Sequence, residues 1–269
     1  MRGFALLLLL ALGGCKTVEI QESMIIRPDA LTKAKPLPEQ VFQHGSPLEV
    51  ARPDGAVLHG VLVTRDGAQR TLLYFGGNAF HLDESGKHVV AALEGCKANI
   101  AIFDYRGYGR SSGVPTVANM TGDGLAIYDL LAARFPGNVV VHGQSLGSFV
   151  AAGVAQERPV RAVVLETAAT TALDWANNSL PWYFKPFISF KVDDALAAVD
   201  NVKVAGRIKS PLLVLAGGED KTTPAAMSQR VFDAAPVERK RIVILPDAGH
   251  NNVLSNPSTA AALCPFIEG

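Results

Sequence analysis

Val139-Val140-Val141-His142-Gly143-Gln144-Ser145-Leu146-Gly147-Ser148 decides how this chain folds. A short apolar run breaks on a glycine, presents a serine, meets a second glycine and opens a helical stretch near 146–157. Apolar runs this short suit strands buried on both faces, as in a parallel sheet. G-x-S-x-G between strand and helix puts the serine on a sharp turn, where glycines let neighbouring backbone approach closely. The helix that follows aims free N–H groups and a positive dipole end at any charge developing beside Ser145. Ser145 is therefore the candidate nucleophile.

Outward from that turn the same alternation repeats. Further apolar runs occupy Thr71–Phe75, Ile100–Phe103, Ala162–Leu165, Leu212–Leu215 and Ile242–Leu245, with helical stretches near 82–95, 118–134, 225–235 and 257–266. Right-handed strand–helix crossovers of this kind build a doubly wound, mostly parallel α/β sheet. Leu48–Arg52 and Val57–Thr64 flank Pro53-Asp54-Gly55 and read as an antiparallel hairpin at its start. The stretch 168–204 breaks the rhythm and is too long for a simple crossover. It carries Trp175, Trp182, Tyr183, Phe184, Phe187 and Phe190, and is expected to form a small helical cap over the sheet edge.

A serine hydroxyl needs a base, and the base needs an orienting acid. Of six histidines, His250 lies in a loop just after the last strand, whereas His142 reads as a core residue in the Ser145 strand. Asp220 follows the penultimate strand and completes the chain order Ser…Asp…His. Glu166 also ends a strand and is the rival acid. The loop Gly76-Gly77-Asn78-Ala79-Phe80 is expected to supply the other half of an oxyanion hole, the Asn78 N–H pairing with that of Leu146. The glycines of Gly107–Gly113 have the wrong spacing for a dinucleotide site, and Asp104 with Arg106 reads as a pair pinning that loop. The substrate pocket is expected between cap and Ser145, apolar, drawing on Phe80, Trp175, Trp182, Tyr183 and Phe184.

Gly76–Ala79, Phe103–Ser111, Gly143–Gly147, Gly218–Pro224 and Pro246–His250 together resemble the α/β-hydrolase superfamily. Within it the likeness is to small serine hydrolases related to mammalian protein depalmitoylases and fungal polarity-linked hydrolases. The resemblance implies an eight-stranded-type sheet, a Ser145–His250–Asp220 triad and an oxyanion hole at Asn78 and Leu146. It also implies action on carboxylic esters or thioesters of acyl groups, without cofactor or metal. A non-catalytic binding module and a serine peptidase are the alternatives on the same fold. The family usually has His-Gly before the asparagine, where this chain has Gly76-Gly77. In the resembled fold the helices ending at Cys96 and Cys264 share one face of the sheet and run the same way. That leaves two outcomes, a disulfide in an oxidising compartment or two buried thiols.

The N-terminus reads as an address. Arg2 and the apolar run Phe4–Leu12 outline a secretory signal, and Leu12-Gly13-Gly14-Cys15 resembles a bacterial lipobox. The resemblance implies cleavage after residue 14, lipidation of Cys15 and a place in the bacterial cell envelope as an extracytoplasmic, membrane-held lipoprotein. Residues 15–47, with Pro28, Pro36, Pro38 and Pro47, read as an extended tether, and 48–269 as the folded domain. Of the 269 residues, 48% are hydrophobic and 19% charged, enough to bury one large core. Lys+Arg and Asp+Glu balance at 25 each, which excludes the basic footprint of a nucleic-acid binder.

Overall fold

The computed structural model describes residues 15–28 and 45–269; the signal-like run and residues 29–44 of the expected tether lie outside them. β1 (Lys16–Ile20) and α1 (Glu22–Ile25) precede the hairpin of β2 (Gly45–Ala51) and β3 (Val57–Val63). Then come β4 (Arg70–Phe75), α2 (Leu82–Ala92), β5 (Ala98–Phe103), α3 (Val117–Arg134), β6 (Val139–Gln144), α4 (Leu146–Glu157) and β7 (Ala162–Glu166). The cap contains α5 (Ala172–Ser179), a tight 3-10 turn (Trp182–Phe184), β8 (Ile188–Val192), α6 (Asp194–Ala197) and α7 (Asn201–Ala205). β9 (Leu212–Gly217), α8 (Ala225–Ala234), β10 (Lys240–Leu245) and α9 (Pro257–Glu268) complete the chain.

Eight strands form one sheet in the order β10-β9-β7-β6-β4-β5-β3-β2, parallel except for the two pairings of β3. β6 lies near its middle, with Leu73, Val141 and Val163 in register across β4, β6 and β7. Alternate strand residues feed two separate cores. Leu73, Val141, Val163 and Val214 pack under α3, α4 and α8, while Leu72, Val140, Val164 and Leu213 pack under α2 and α9. Fully burying each such side chain is worth about 1.5–3 kcal/mol, so central strands rich in Val and Leu hold the sheet rigid behind the Ser145 turn. Cys96 and Cys264 are bonded on the second face, Cα–Cα 4.8 Å, joining the end of the α2 segment to α9.

Two expectations need correction. Lys16–Ile20 is a strand and not the start of a free tether, because β1 pairs in parallel with β8, Lys16 opposite Ile188 through Ile20 opposite Val192. Val18 and Ile20 alternate with Thr17 and Glu19, the period that suits a strand, and Ile20 is buried against Ala176 and Leu196. For the same reason the cap is mixed rather than purely helical.

Candidate active site

Ser145 sits between β6 and α4 at φ 52°, ψ −113°, a strained conformation for a residue with a Cβ. Its own N–H is held by the Glu166 carbonyl at 2.9 Å. The turn is possible because positions 143 and 147 carry no side chain. A Cβ on Gly147 would strike the Phe75 and Gly76 carbonyls, and one on Gly143 would strike the Gly147 backbone. Leu146 opens α4, so its N–H has no partner within the helix.

His250 joins the serine to the acid. Its Nε2 lies 3.0 Å from Ser145 Oγ and its Nδ1 2.8 Å from Asp220 Oδ2. Asp220 is buried, and its Oδ1 accepts the Thr222 and Thr223 N–H groups at 2.8 and 2.9 Å. Thr223 Oγ1 also stands 2.9 Å from Asp220 Oδ2, 2.9 Å from the Thr167 carbonyl and 3.1 Å from His250 Nδ1. Burial pushes the Asp220 carboxyl up, but hydrogen bonds from His250 and Thr223 outweigh it and leave its pKa below the ordinary carboxylate value. The acid is thus held ionised where it can fix the ring and favour an imidazolium. Thr223 is absent from the sequence reading; its signal is the Asp220-Lys221-Thr222-Thr223 run, an Asx-type turn closing on its own aspartate.

The rival acid is occupied elsewhere. Glu166 Oε2 lies 2.9 Å from His142 Nε2, both buried inside the sheet, and Tyr74 meets the His142 ring edge-on. Asp104 and Arg106, read as a pair, have other partners. Asp104 accepts the Leu82 and Arg110 N–H groups at 2.7 and 3.0 Å, while Arg106 forks onto Asp123 and reaches Asp54. The planar guanidinium finds a bidentate carboxylate on α3, and the Asp104 oxygens are filled by backbone donors.

Asn78 and Leu146 both face the cavity beside Ser145. The Asn78 side chain fixes its loop, with Oδ1 accepting from Tyr108 Oη at 2.9 Å and Ala79 N at 3.1 Å, and Nδ2 donating to the Ile25 carbonyl. Tyr105 Oη donates to the Gly76 carbonyl at 2.6 Å. The Gly76-Gly77 departure has a local cause: the Phe80 ring fills the space of a residue-76 Cβ, and Gln144 Oε1 fills that of residue 77.

The cavity measures about 440 Å³ and runs from Ser145, His250 and Asn78 up to the cap. Trp175, Ala172, Leu196 and Val199 form its cap side, Val117 and Met120 its α3 side, and Met24–Arg27 close a third wall. Of the expected aromatic lining, only Trp175 lies there. Phe80 turns under its own loop into a separate hollow with Tyr74 and His88, because Gly76 leaves room for its ring. Trp182 (80% exposed), Tyr183 and Phe187 are exposed on and just after the tight turn that follows α5. Phe184 meets the Tyr183 ring at a tilt, centroids 4.7 Å apart, and Phe190 packs inside the cap. The wall Met24–Arg27 is the lining that sequence reasoning missed; the triplet Met24-Ile25-Ile26 in a polar stretch was its signal.

The profile of the Hydrolase_4 family, described as serine aminopeptidase S33, matches residues 68–192 and 174–255. The chain belongs to this family of α/β-hydrolases. An uncharacterised Mycobacterium tuberculosis protein is 33% identical over 227 residues, covering 81% of this chain and 78% of that one. Human alpha/beta hydrolase domain-containing protein 17B is 30% identical over 191 residues, covering 69% of this chain and 62% of the human one. A Pyrococcus furiosus esterase shares the fold at TM-score 0.69 and 19% identity, over 90% of this chain and 98% of the esterase. This Hydrolase_4 member is a hydrolase with the α/β-hydrolase fold.

Proposed function

We propose that the chain is a serine hydrolase that cleaves carboxylic esters or thioesters of acyl groups. The observation that carries this reading is His250 bridging Ser145 and Asp220 at the floor of an apolar cavity. Ser145 Oγ attacks the acyl carbonyl while His250 Nε2 takes its proton, and the oxyanion forms against the Asn78 and Leu146 N–H groups. His250 then protonates the leaving alcohol or thiol, and water, deprotonated by His250, releases the acid from Ser145. An aminopeptidase must hold a free ammonium beside the scissile bond. Among the described residues lining the cavity there is no Asp or Glu, and the one charged side chain from the N-terminal wall is Arg27. An acyl chain against Trp175, Leu196 and Val199 fits this lining better.

Fluorophosphonate labelling of the parent and of Ser145→Ala, followed by a p-nitrophenyl ester series, tests the proposal. Labelling should depend on Ser145, and kcat/KM should rise from acetyl to roughly hexanoyl or octanoyl, each bound methylene contributing about 0.8 kcal/mol at most. An unlabelled parent would return the chain to a binding role, and a fall from acetyl upward would remove the acyl pocket. The lipobox likeness supports the second half of the reading, an extracytoplasmic lipoprotein held through Cys15. Cys15→Ser should abolish lipid labelling, and a parent that takes up no lipid would remove the anchor.

A further inference from the structure

Among the described residues, seven large hydrophobic side chains are exposed, and three of them, Trp182, Tyr183 and Phe187, fall within six positions of one cap turn. Scattered exposed apolar residues are ordinary; three large aromatics together are not. Cys15, the first of the described residues, lies at this same place. Cys15 Sγ donates to the Pro186 carbonyl at 3.5 Å, and the Lys16 N–H to the Phe187 carbonyl at 2.8 Å. The five-residue pairing of β1 with β8 then holds Cys15 at the patch. Cys15, where the lipobox reading places a lipid, is therefore fixed beside Trp182, Tyr183 and Phe187.

We infer that this face of the cap is a docking surface for a phospholipid bilayer. The composition suits the interface: Trp and Tyr rings partition to the headgroup level, and the exposed Lys16 and Lys185 in the same patch suit anionic headgroups. Among the described residues no helix is long and apolar enough to cross a membrane, so the contact is peripheral. The docked face is also joined to the site along the chain. The segment that begins at Cys15 reaches, one strand later, the cavity wall at Met24–Arg27, where Met24 is half exposed. Docking through this patch would hold the Met24–Arg27 wall, one strand along the chain, near the bilayer that supplies an acyl group. This last step rests on the acyl-hydrolase reading; the docking itself does not.

The test uses the full chain carrying Cys15→Ser and Trp175→Phe, so that of the two tryptophans only Trp182 emits. With vesicles of phosphatidylethanolamine and phosphatidylglycerol, Trp182 emission should shift to the blue and be quenched by lipids brominated near the headgroup. In the chain carrying Cys15→Ser alone, adding Trp182→Ser, Tyr183→Ser and Phe187→Ser should weaken vesicle binding about tenfold or more, because interfacial affinity scales with apolar area buried. The same triple change should slow hydrolysis of a long-chain ester embedded in vesicles while sparing a soluble p-nitrophenyl ester. If Trp182 emission stays put while the chain sediments with vesicles, the N-terminal run alone does the holding and the inference is overturned. Trp182 already blue-shifted in a lipid-free dimer would assign the patch to a second copy, and overturn it equally. Failure of the parent to turn over any soluble ester would sink the hydrolase reading and leave the Trp182 result to stand by itself.

Discussion

His142 and Glu166 pair with each other at 2.9 Å inside the sheet, His142 three residues before Ser145 and Glu166 in register with Gln144. A carboxylate already bonded to a buried imidazole is not available to orient His250, and on the proposed mechanism that part falls to Asp220, 2.8 Å from His250 Nδ1. Asp220→Asn should therefore cut kcat by about four orders of magnitude, the scale seen when a triad acid is lost. Glu166→Gln, which can still bond His142, should leave kcat close to the parent and cost about 0.5–1.5 kcal/mol of stability. Reversed severities in steady-state kinetics would move the acid to Glu166.

Thr223 is the residue that holds acid and base together, its hydroxyl within 3.1 Å of both Asp220 and His250. Thr223→Val keeps the shape and removes the hydroxyl. A hydrogen bond to a charged group is worth about 1.5–3 kcal/mol, so kcat/KM should fall roughly ten- to hundredfold. Thr223→Ser should recover most of it with KM little changed. If the serine variant is as impaired as the valine one, Thr223 acts through packing and not through its hydroxyl.

Gly77 faces the end of the Gln144 side chain, whose Nε2 reaches toward the His250 carbonyl at 3.5 Å. Gly77→Ala should push Gln144 aside and displace the Asn78 loop, lowering kcat by about tenfold, less than the roughly 10²–10³ lost when one oxyanion donor is removed outright. Gln144→Ala gives that space back. The double variant should consequently be more active than Gly77→Ala alone, a coupling measurable in a double-mutant cycle. Additive losses would show that the two positions do not share this contact.

Much of this arrangement was legible in the sequence because buried parallel strands are written as unbroken apolar runs. Their ends were not, because polar residues such as Arg70, Gln144 and Lys240 still pair in register with Ala98, Glu166 and Leu212. Ser145, Asp220 and His250 each follow a strand, and a parallel sheet brings such ends to one edge. The aromatic lining failed for a different reason. Periodicity over 168–204 is short and broken, so it gives no information on which way Trp182 or Tyr183 points, and hydrophobicity alone placed them inward. β1 was invisible as part of the cap because its partner β8 is remote in sequence, Thr17 and Ser189 standing 172 positions apart. The prolines of the intervening stretch read as linker.

The Cys96–Cys264 bond closes a loop with a sequence separation of 168 and ties α9 to the segment after α2. Constraint of so long a loop in the unfolded chain stabilises by about 2–5 kcal/mol. Cys96→Ser should lower Tm by roughly 5–15 °C for a domain of this size. With Cys15 replaced by serine, thiol titration in denaturant should find no reactive thiol before reduction and two after it. Two thiols without reductant would show that the pair is unbonded in the purified protein.

Asp104 lies fully buried at the end of β5, where burial pushes its pKa from the ordinary 3.8 to about 6 despite hydrogen bonds from the Arg110 and Leu82 N–H groups. The native carboxyl thus holds its proton more tightly than the unfolded chain does. Between those two pH values the folded state binds more protons, so this group's contribution is fully present below the unfolded value and is lost as pH rises through about 6. About two pK units correspond to roughly 3 kcal/mol. Asp104→Asn removes the titration and leaves one of the two N–H donors without its oxygen, so the variant should be less stable throughout. Its deficit against the parent, from urea unfolding, should narrow by up to about 3 kcal/mol between about pH 4 and pH 7. A deficit that stays constant across that range would mean that Asp104 does not titrate there.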